Sequence, residues 1–459
     1  KCMASPWPSP RPSLPGVAPF ARAGAGAMAA MVAAEASVER LREALARPVP
    51  RARPGAQRAA CAGGATWQTA LDDARHCQAS AALLEPLARD AVQRLVGGAS
   101  ARGGDGEATT QDEAAALSAR RSAATFLEAV ARLWPEALHP CTAALCAGLA
   151  ERLAASSAGA AGPALGIEDL PWIVPACDAL SRVLPRWSEN GALYQAALPE
   201  AELGACAALQ GRLAEVLNRR PSFSILLERE KLLFVRAAVE CHCTLMAVVF
   251  NDLAGVGTLV EDSMGRLTRC AECKRELSVQ QQAELCHEAW MLCTMLEFLH
   301  ADGRSEGSFN GTVEKVAPLL AALSQGGPPA LRVALMPCLG SLISGHGQLL
   351  YSTPCLIDAF RCGLASESKA LRARTAETLA RLFAAEEAGA AARGRSAGAV
   401  AAYDSVQRLA ELQAPLLAAL LQSSTSGASQ GSSVASAAAS ALSSLHALGA
   451  LIVPQALPP

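Results

Sequence analysis

LRVALMPCLGSL (Leu331–Leu342) and LRARTAETLARL (Leu371–Leu382) align without a gap at an offset of forty residues. In both, the first, ninth and twelfth positions are leucine, and these fall on one face of an α-helix. VASAAASALSSL (Val434–Leu445) keeps the same apolar positions, and ARRSAATFLEAV (Ala119–Val130) fits them again. Small residues four and five places on, such as Ala123-Ala124 and Ala438-Ala439, let a neighbouring helix approach closely. A period near forty is that of a two- or three-helix solenoid unit.

Three copies follow a partner segment: VAPLLAAL (Val316–Leu323), Leu356–Leu364, and LQAPLLAALL (Leu412–Leu421). A single helix pair cannot bury its apolar stripe alone, so such units must stack. The expected fold is all-α: an α-solenoid of stacked antiparallel helix pairs.

These residues resemble HEAT repeats and, more loosely, armadillo repeats. The likeness lies in a first helix with an internal proline, a short turn, and an apolar–Arg pair followed by small residues and spaced leucines. The resemblance implies a ladder of turn Asp and second-helix Arg side chains, with structural places for Arg332, Arg372 and Arg120. The turns SQGGPP and ASESKA carry no Asp, and the third copy has Ala435 in place of Arg. Arg332, Arg372 and Arg374 are the candidate surface or ladder residues. HEAT and armadillo architectures serve transport receptors, phosphatase scaffolds and assembly factors.

The composition agrees with helices. Of the 459 residues 51% are hydrophobic but only 4% aromatic, so Ala and Leu carry the apolar fraction, and these lead the helix scale. The formal net charge of −2 gives no global footprint of nucleic-acid binding or of attraction to anionic membrane. A protein partner is therefore expected, and nucleic acid is disfavoured. No apolar run approaches eighteen residues without a charge or helix breaker, so no membrane span is expected. The sixteen cysteines are scattered through apolar runs rather than spaced as in a short secreted chain, which reads as reduced thiols and a cytoplasmic location.

The first residues, 1–34, contain Pro, Ser, Ala and Arg but no acidic residue before Glu35, and read as a disordered or organelle-targeting leader. The opening Lys1 suggests a fragment, or a start at Met3, Met28 or Met31. Helical structure is expected from about Ala36. Residues 35–300 read as irregular repeats with Gly-rich loops at Gly97–Ala108 and Ser157–Gly166, and 301–459 as regular repeats with linkers near 384–404 and 423–433. In LPWIVPACDALSRVLPRW (Leu170–Trp187) three prolines argue for a short helix pair rather than one straight helix.

Chemistry has one candidate region. Cys241, Cys243, Cys270, Cys273, Cys286 and His287 supply enough donors for a tetrahedral zinc site, and RCAECKREL (Arg269–Leu277) holds a CxxC. With sixteen cysteines, about half a pair at any fixed spacing arises by chance, and a strong zinc signature needs two such pairs. On one helix Cys241 and Cys243 would point to nearly opposite faces. No cofactor is expected, with zinc the alternative. The Gly427–Gly431 match to GxSxG lies in a Ser-rich linker without the strand that a nucleophile elbow needs. Phosphate-loop, HExxH and calcium-loop patterns are missing from the sequence. The expectation is a non-enzymatic protein-binding scaffold or adaptor. A zinc-stabilised or thiol-active module at 241–293, or a helical domain of a larger enzyme, are the alternatives.

Overall fold

The computed structural model describes residues 20–46, 61–76, 80–96, 110–155, 169–193, 199–218, 228–272, 277–302, 310–345, 353–393, 407–425 and 432–456. Among them the chain is all-α, with sixteen helices of ten or more residues and no strand. In the first half these are α1 (Phe20–Ala46), α2 (Cys61–His76), α3 (Ala81–Val96), α4 (Thr110–Leu133), α5 (Thr142–Ala155), α6 (Leu170–Leu193), α7 (Glu200–Asn218) and α8 (Glu228–Thr244). The second half holds α9 (Leu253–Glu272), α10 (Val279–Asp302), α11 (Asn310–Gly326), α12 (Pro329–Gly345), α13 (Cys355–Leu364), α14 (Lys369–Arg393), α15 (Gln413–Thr425) and α16 (Ser432–Ala456).

Local chemistry sets several of the ends. Ser278 and Gln281 form a reciprocal capping box before α10: the Gln281 amide donates to Ser278 Oγ at 3.2 Å, and the Ser278 amide donates to Gln281 Oε1 at 2.9 Å. Asp252 caps α9 by accepting from the Gly255 amide at 2.9 Å. Pro328-Pro329 opens α12, where a missing N–H costs nothing. Between α8 and α9 the chain widens into a π-helical turn, Leu245–Val249, and the Phe250 amide donates back to Leu245 O at 3.0 Å. Asn251 then takes a φ of 52°, the left-handed region that Asn tolerates better than most residues.

Packing follows an alternating rule. Each odd-numbered helix touches the even-numbered helix after it, from α1 with α2 to α15 with α16. Even-numbered helices also touch each other in one unbroken series, α4, α6, α8, α10, α12, α14 and α16. The odd-numbered helices form a second series from α3 to α15, in which the π-helical turn bridges α7 and α9. All four copies of the repeated pattern lie on even-numbered helices, and the three partner segments lie on α11, α13 and α15.

The pattern predicts burial where it is strongest. Leu331, Leu339, Leu342, Leu371, Leu379, Leu382 and Val434 are all buried, as are Leu127 and Val130 of the first copy. Ala119 and Leu442 are not, so the outer copies fit less well than the central two. Close helix approach depends on missing side chains. A Cβ on Gly148 of α5 would collide with Val96, and one on Gly340 of α12 would stand 2.5 Å from Thr378 Cγ2 of α14.

Three expectations meet a different structure. Leu170–Leu193 is one helix, with Pro175 and Pro185 inside it, rather than a short pair. Pro171 occupies the first turn, where no amide is needed, and burial of Trp172, Ile173, Ala176, Leu180, Val183 and Leu184 against α4 and α8 offsets the amides lost at the other two prolines. Residue 34, where a leader was expected to end, falls inside α1, and the linker expected from 384 is helical as far as Arg393. The Gly-rich loops at 97–108 and 157–166 lie outside the described residues. One stretch, Glu230–Val249, has the length and composition to cross a membrane; 67% of it is buried in the protein, as in a core helix.

Candidate functional site

The cysteines of the middle helices are packing groups. Cys146 of α5 and Cys206 of α7 lie 4.0 Å apart, sulfur to sulfur, and the Cys241 thiol of α8 is held against Cys177 of α6. All four are buried. The neighbouring thiols and burial push Cys146 and Cys241 well above the ordinary thiol range. Burial likewise drives Cys243 up to about 12. A neutral thiol is a poor nucleophile and a poor metal ligand, so Cys146, Cys241 and Cys243 act as small apolar side chains, while the hydrogen bond with Cys146 lowers the Cys206 pKa.

The candidate zinc donors are divided among different surroundings. Cys241 and Cys243 share α8, but only Cys241 is held against another thiol, that of Cys177. Cys286 is buried on α10, and His287 beside it has Nε2 at 2.9 Å from Leu217 O at the end of α7. His242, also buried, is hydrogen-bonded to the Gln210 carbonyl, and burial lowers its pKa to about 4. Both ring systems are therefore tied to carbonyls of α7. Cys270 lies in the last turn of α9, and Cys273 is outside the described residues. Among the described residues no three His, Cys, Asp or Glu side chains are placed to hold a metal ion.

The arginines of the repeat separate by role. Arg332 Nε donates to Ser324 O at 2.8 Å, and Arg372 Nη1, forty residues on, donates to Ser366 O at 2.5 Å and Glu367 O at 3.0 Å. At both of these equivalent positions a guanidinium satisfies carbonyls at the end or turn of the preceding helix. Arg374 instead lines the cleft that α14 forms with α10 and α12, and pairs with Glu377 at 3.2 Å.

That side of α14 belongs to a polar strip crossing consecutive even-numbered helices. It begins with Glu128 of α4, Asp178 of α6 and Glu240 of α8. Partial burial and these two neighbouring carboxylates raise the Asp178 pKa to about 6, against the pull of Arg182 and Arg236. From α8, Arg236 reaches Glu297 of α10 at 3.3 Å. The other Glu297 oxygen lies 2.9 Å from Ser341 Oγ of α12. The Ser341 hydroxyl is also 3.0 Å from Pro337 O, so its single proton serves one acceptor at a time.

At its far end the strip deepens into a cleft of about 220 Å³ between α10, α12 and α14. Its polar wall carries Glu297, Ser341, Arg374, Glu377, Thr378 and Arg381. Pro337, Gly340 and Leu382 supply an apolar floor. Gly340 is what lets α14 sit this close to α12. Of these residues the sequence singled out Leu382, as a core position of the repeat, and Arg374. Glu297, Ser341 and Arg381 come together through helix placement, and a local pattern carries no signal for that.

No protein-family model matches the chain, and no curated protein sequence matches it. Function is therefore read from the geometry.

Proposed function

We propose that the protein is a non-enzymatic scaffold or adaptor that binds another protein along its even-numbered helices, in a transport, assembly or regulatory setting. In this reading the helix pairs are antiparallel and stack into an α-solenoid similar to HEAT and armadillo arrays, and the even-numbered series lines one broad surface. The supporting observation is the polar strip in which Arg236, Glu297 and Ser341 are joined by contact across α8, α10 and α12 to the α14 cleft, with Asp178 of α6 within the electrostatic reach of Arg236. Such a strip crosses several adjacent helices, and its charges of both signs suit a protein better than the uniform anion of nucleic acid. Neutral buried thiols fit a reducing, cytoplasmic setting, and no cofactor has a part in the scheme.

The test compares three full-length forms in affinity capture read by mass spectrometry. A partner taken by the wild type, lost from Arg236→Glu/Arg374→Glu, and kept by Arg212→Glu on α7 supports the reading. A reproducible lack of any protein partner, or equal capture by all three forms, counts against it.

A further inference from the structure

We propose that the cleft between α10, α12 and α14 receives an extended acidic segment of the partner, with one of its carboxylates paired to Arg381. This rests on the scaffold reading above and specifies the chemistry of what is bound.

The charge balance of the cleft is the reason. It carries two carboxylates, and both are engaged: Glu297 by Arg236 at 3.3 Å and Ser341 at 2.9 Å, Glu377 by Arg374 at 3.2 Å. Arg381 is exposed and makes no ion pair among the described residues. It follows Arg374 by seven residues, two helical turns along the same side of α14. The lining charges balance, two arginines against two glutamates, but Arg236 from outside the lining engages Glu297, so Arg381 is the cleft charge left for a ligand. A basic segment would have to displace Arg236 or Arg374 to reach a carboxylate, whereas an acidic one reaches Arg381 with nothing to displace.

The shape agrees with an extended chain. The volume of about 220 Å³ holds side chains of a single strand of peptide, not the surface of a folded domain. The floor of Pro337, Gly340 and Leu382 accepts an aliphatic side chain next to the acidic one. Ser344, at the cleft edge and without a hydrogen bond among the described residues, offers a hydroxyl to the ligand backbone.

The probe is a fluorescein-labelled decapeptide of alternating Leu and Glu, titrated by anisotropy with the full-length protein against its Leu–Lys counterpart. The Leu–Glu peptide should bind, the Leu–Lys peptide about tenfold or more weakly, and Arg381→Glu should weaken the Leu–Glu peptide by about tenfold. Arg212→Glu should leave binding unchanged, and an unaltered helical circular dichroism melt of Arg381→Glu shows that it folds. Failure of the Leu–Glu peptide to bind, equal binding of the two peptides, or no effect of Arg381→Glu overturns the assignment. A protein partner captured equally by wild type and Arg381→Glu removes the cleft while leaving the scaffold standing. Peptide binding without any captured protein removes the scaffold instead.

Discussion

Two neighbourhoods of this molecule use the same helix contacts to opposite ends. Across α5 to α8 the gaps between helices are closed by the buried Cys146, Cys177, Cys206 and Cys241, side chains small enough for close approach. Across α10 to α14 the contact is made through Gly340 and Thr378, and the space beside it stays open and lined with charge. A filled seam stabilises the array; an underfilled one leaves a place where something else fits. The choice between them turns on a few side chains, not on the backbone plan.

The strongest way to sharpen that contrast is truncation on each side. Trp172→Ala, which empties a fully buried site on α6, should cost about 3–5 kcal/mol in urea unfolding. Leu382→Ala at the cleft floor should sit near the low end of the usual range, about 2 kcal/mol, because this buried side chain borders the cleft and packs against fewer atoms there. Equal costs would erase the distinction between filled and underfilled seams.

Acid should act on the filled side next. His242 is held neutral, with a pKa of about 4 against an ordinary 6.5, so the unfolded chain binds its proton first. Its contribution is complete above pH 6.5 and fades as pH falls toward 4, by an amount on the order of 2–3 kcal/mol. Asp178 works in the opposite sense. Its folded pKa of about 6 lies above the ordinary 3.8, so protonation between pH 6 and 4 adds stability, on the order of 1 kcal/mol after allowance for its partial exposure. His242→Gln should therefore flatten the acid limb of a thermal-melt series, and Asp178→Asn should raise stability at pH 7. A His242→Gln protein with an unchanged acid limb would contradict the burial described for this ring.

Filling the open seam is a smaller perturbation. Gly340→Val should cost about 1–2 kcal/mol by pressing on Thr378, and Thr378→Ala should recover part of it, giving a coupling of about 1 kcal/mol in a double-mutant cycle. Additive effects would mean that the two residues do not touch. Smallest of all, Arg381→Ala should change stability by less than about 0.5 kcal/mol in chemical denaturation, since the side chain is exposed and unpaired within the described chain.

The legible part of this molecule was whatever depends on spacing along one helix. Ala and Leu content announced an all-helical chain, and the forty-residue offset placed α12 and α14 and their partners α11 and α13 correctly. Arg332 and Arg372 could be recognised as equivalent, although their carbonyl partners lie in turns that the pattern left blank. Helix α6 departs from what its prolines predict because proline propensity is local, while burial of the Trp172 face is not. The pairing of Cys241 with Cys177 and the meeting of Glu297, Ser341 and Arg381 join residues dozens of positions apart, through the lateral placement of helices that no single-helix period encodes.

The π-helical turn at Leu245–Val249 has a consequence of this kind. A wide turn accommodates one residue more than an α-helical turn, and each residue of an α-helix advances the azimuth by about 100°. For a periodic signal this is a phase slip. Counting forward from Cys241 at about 100° per residue assigns the side chains of the turn itself to the wrong compass bearing before the chain leaves the helix at Asn251, and a one-residue deletion inside the turn should re-time that exit by the same angle.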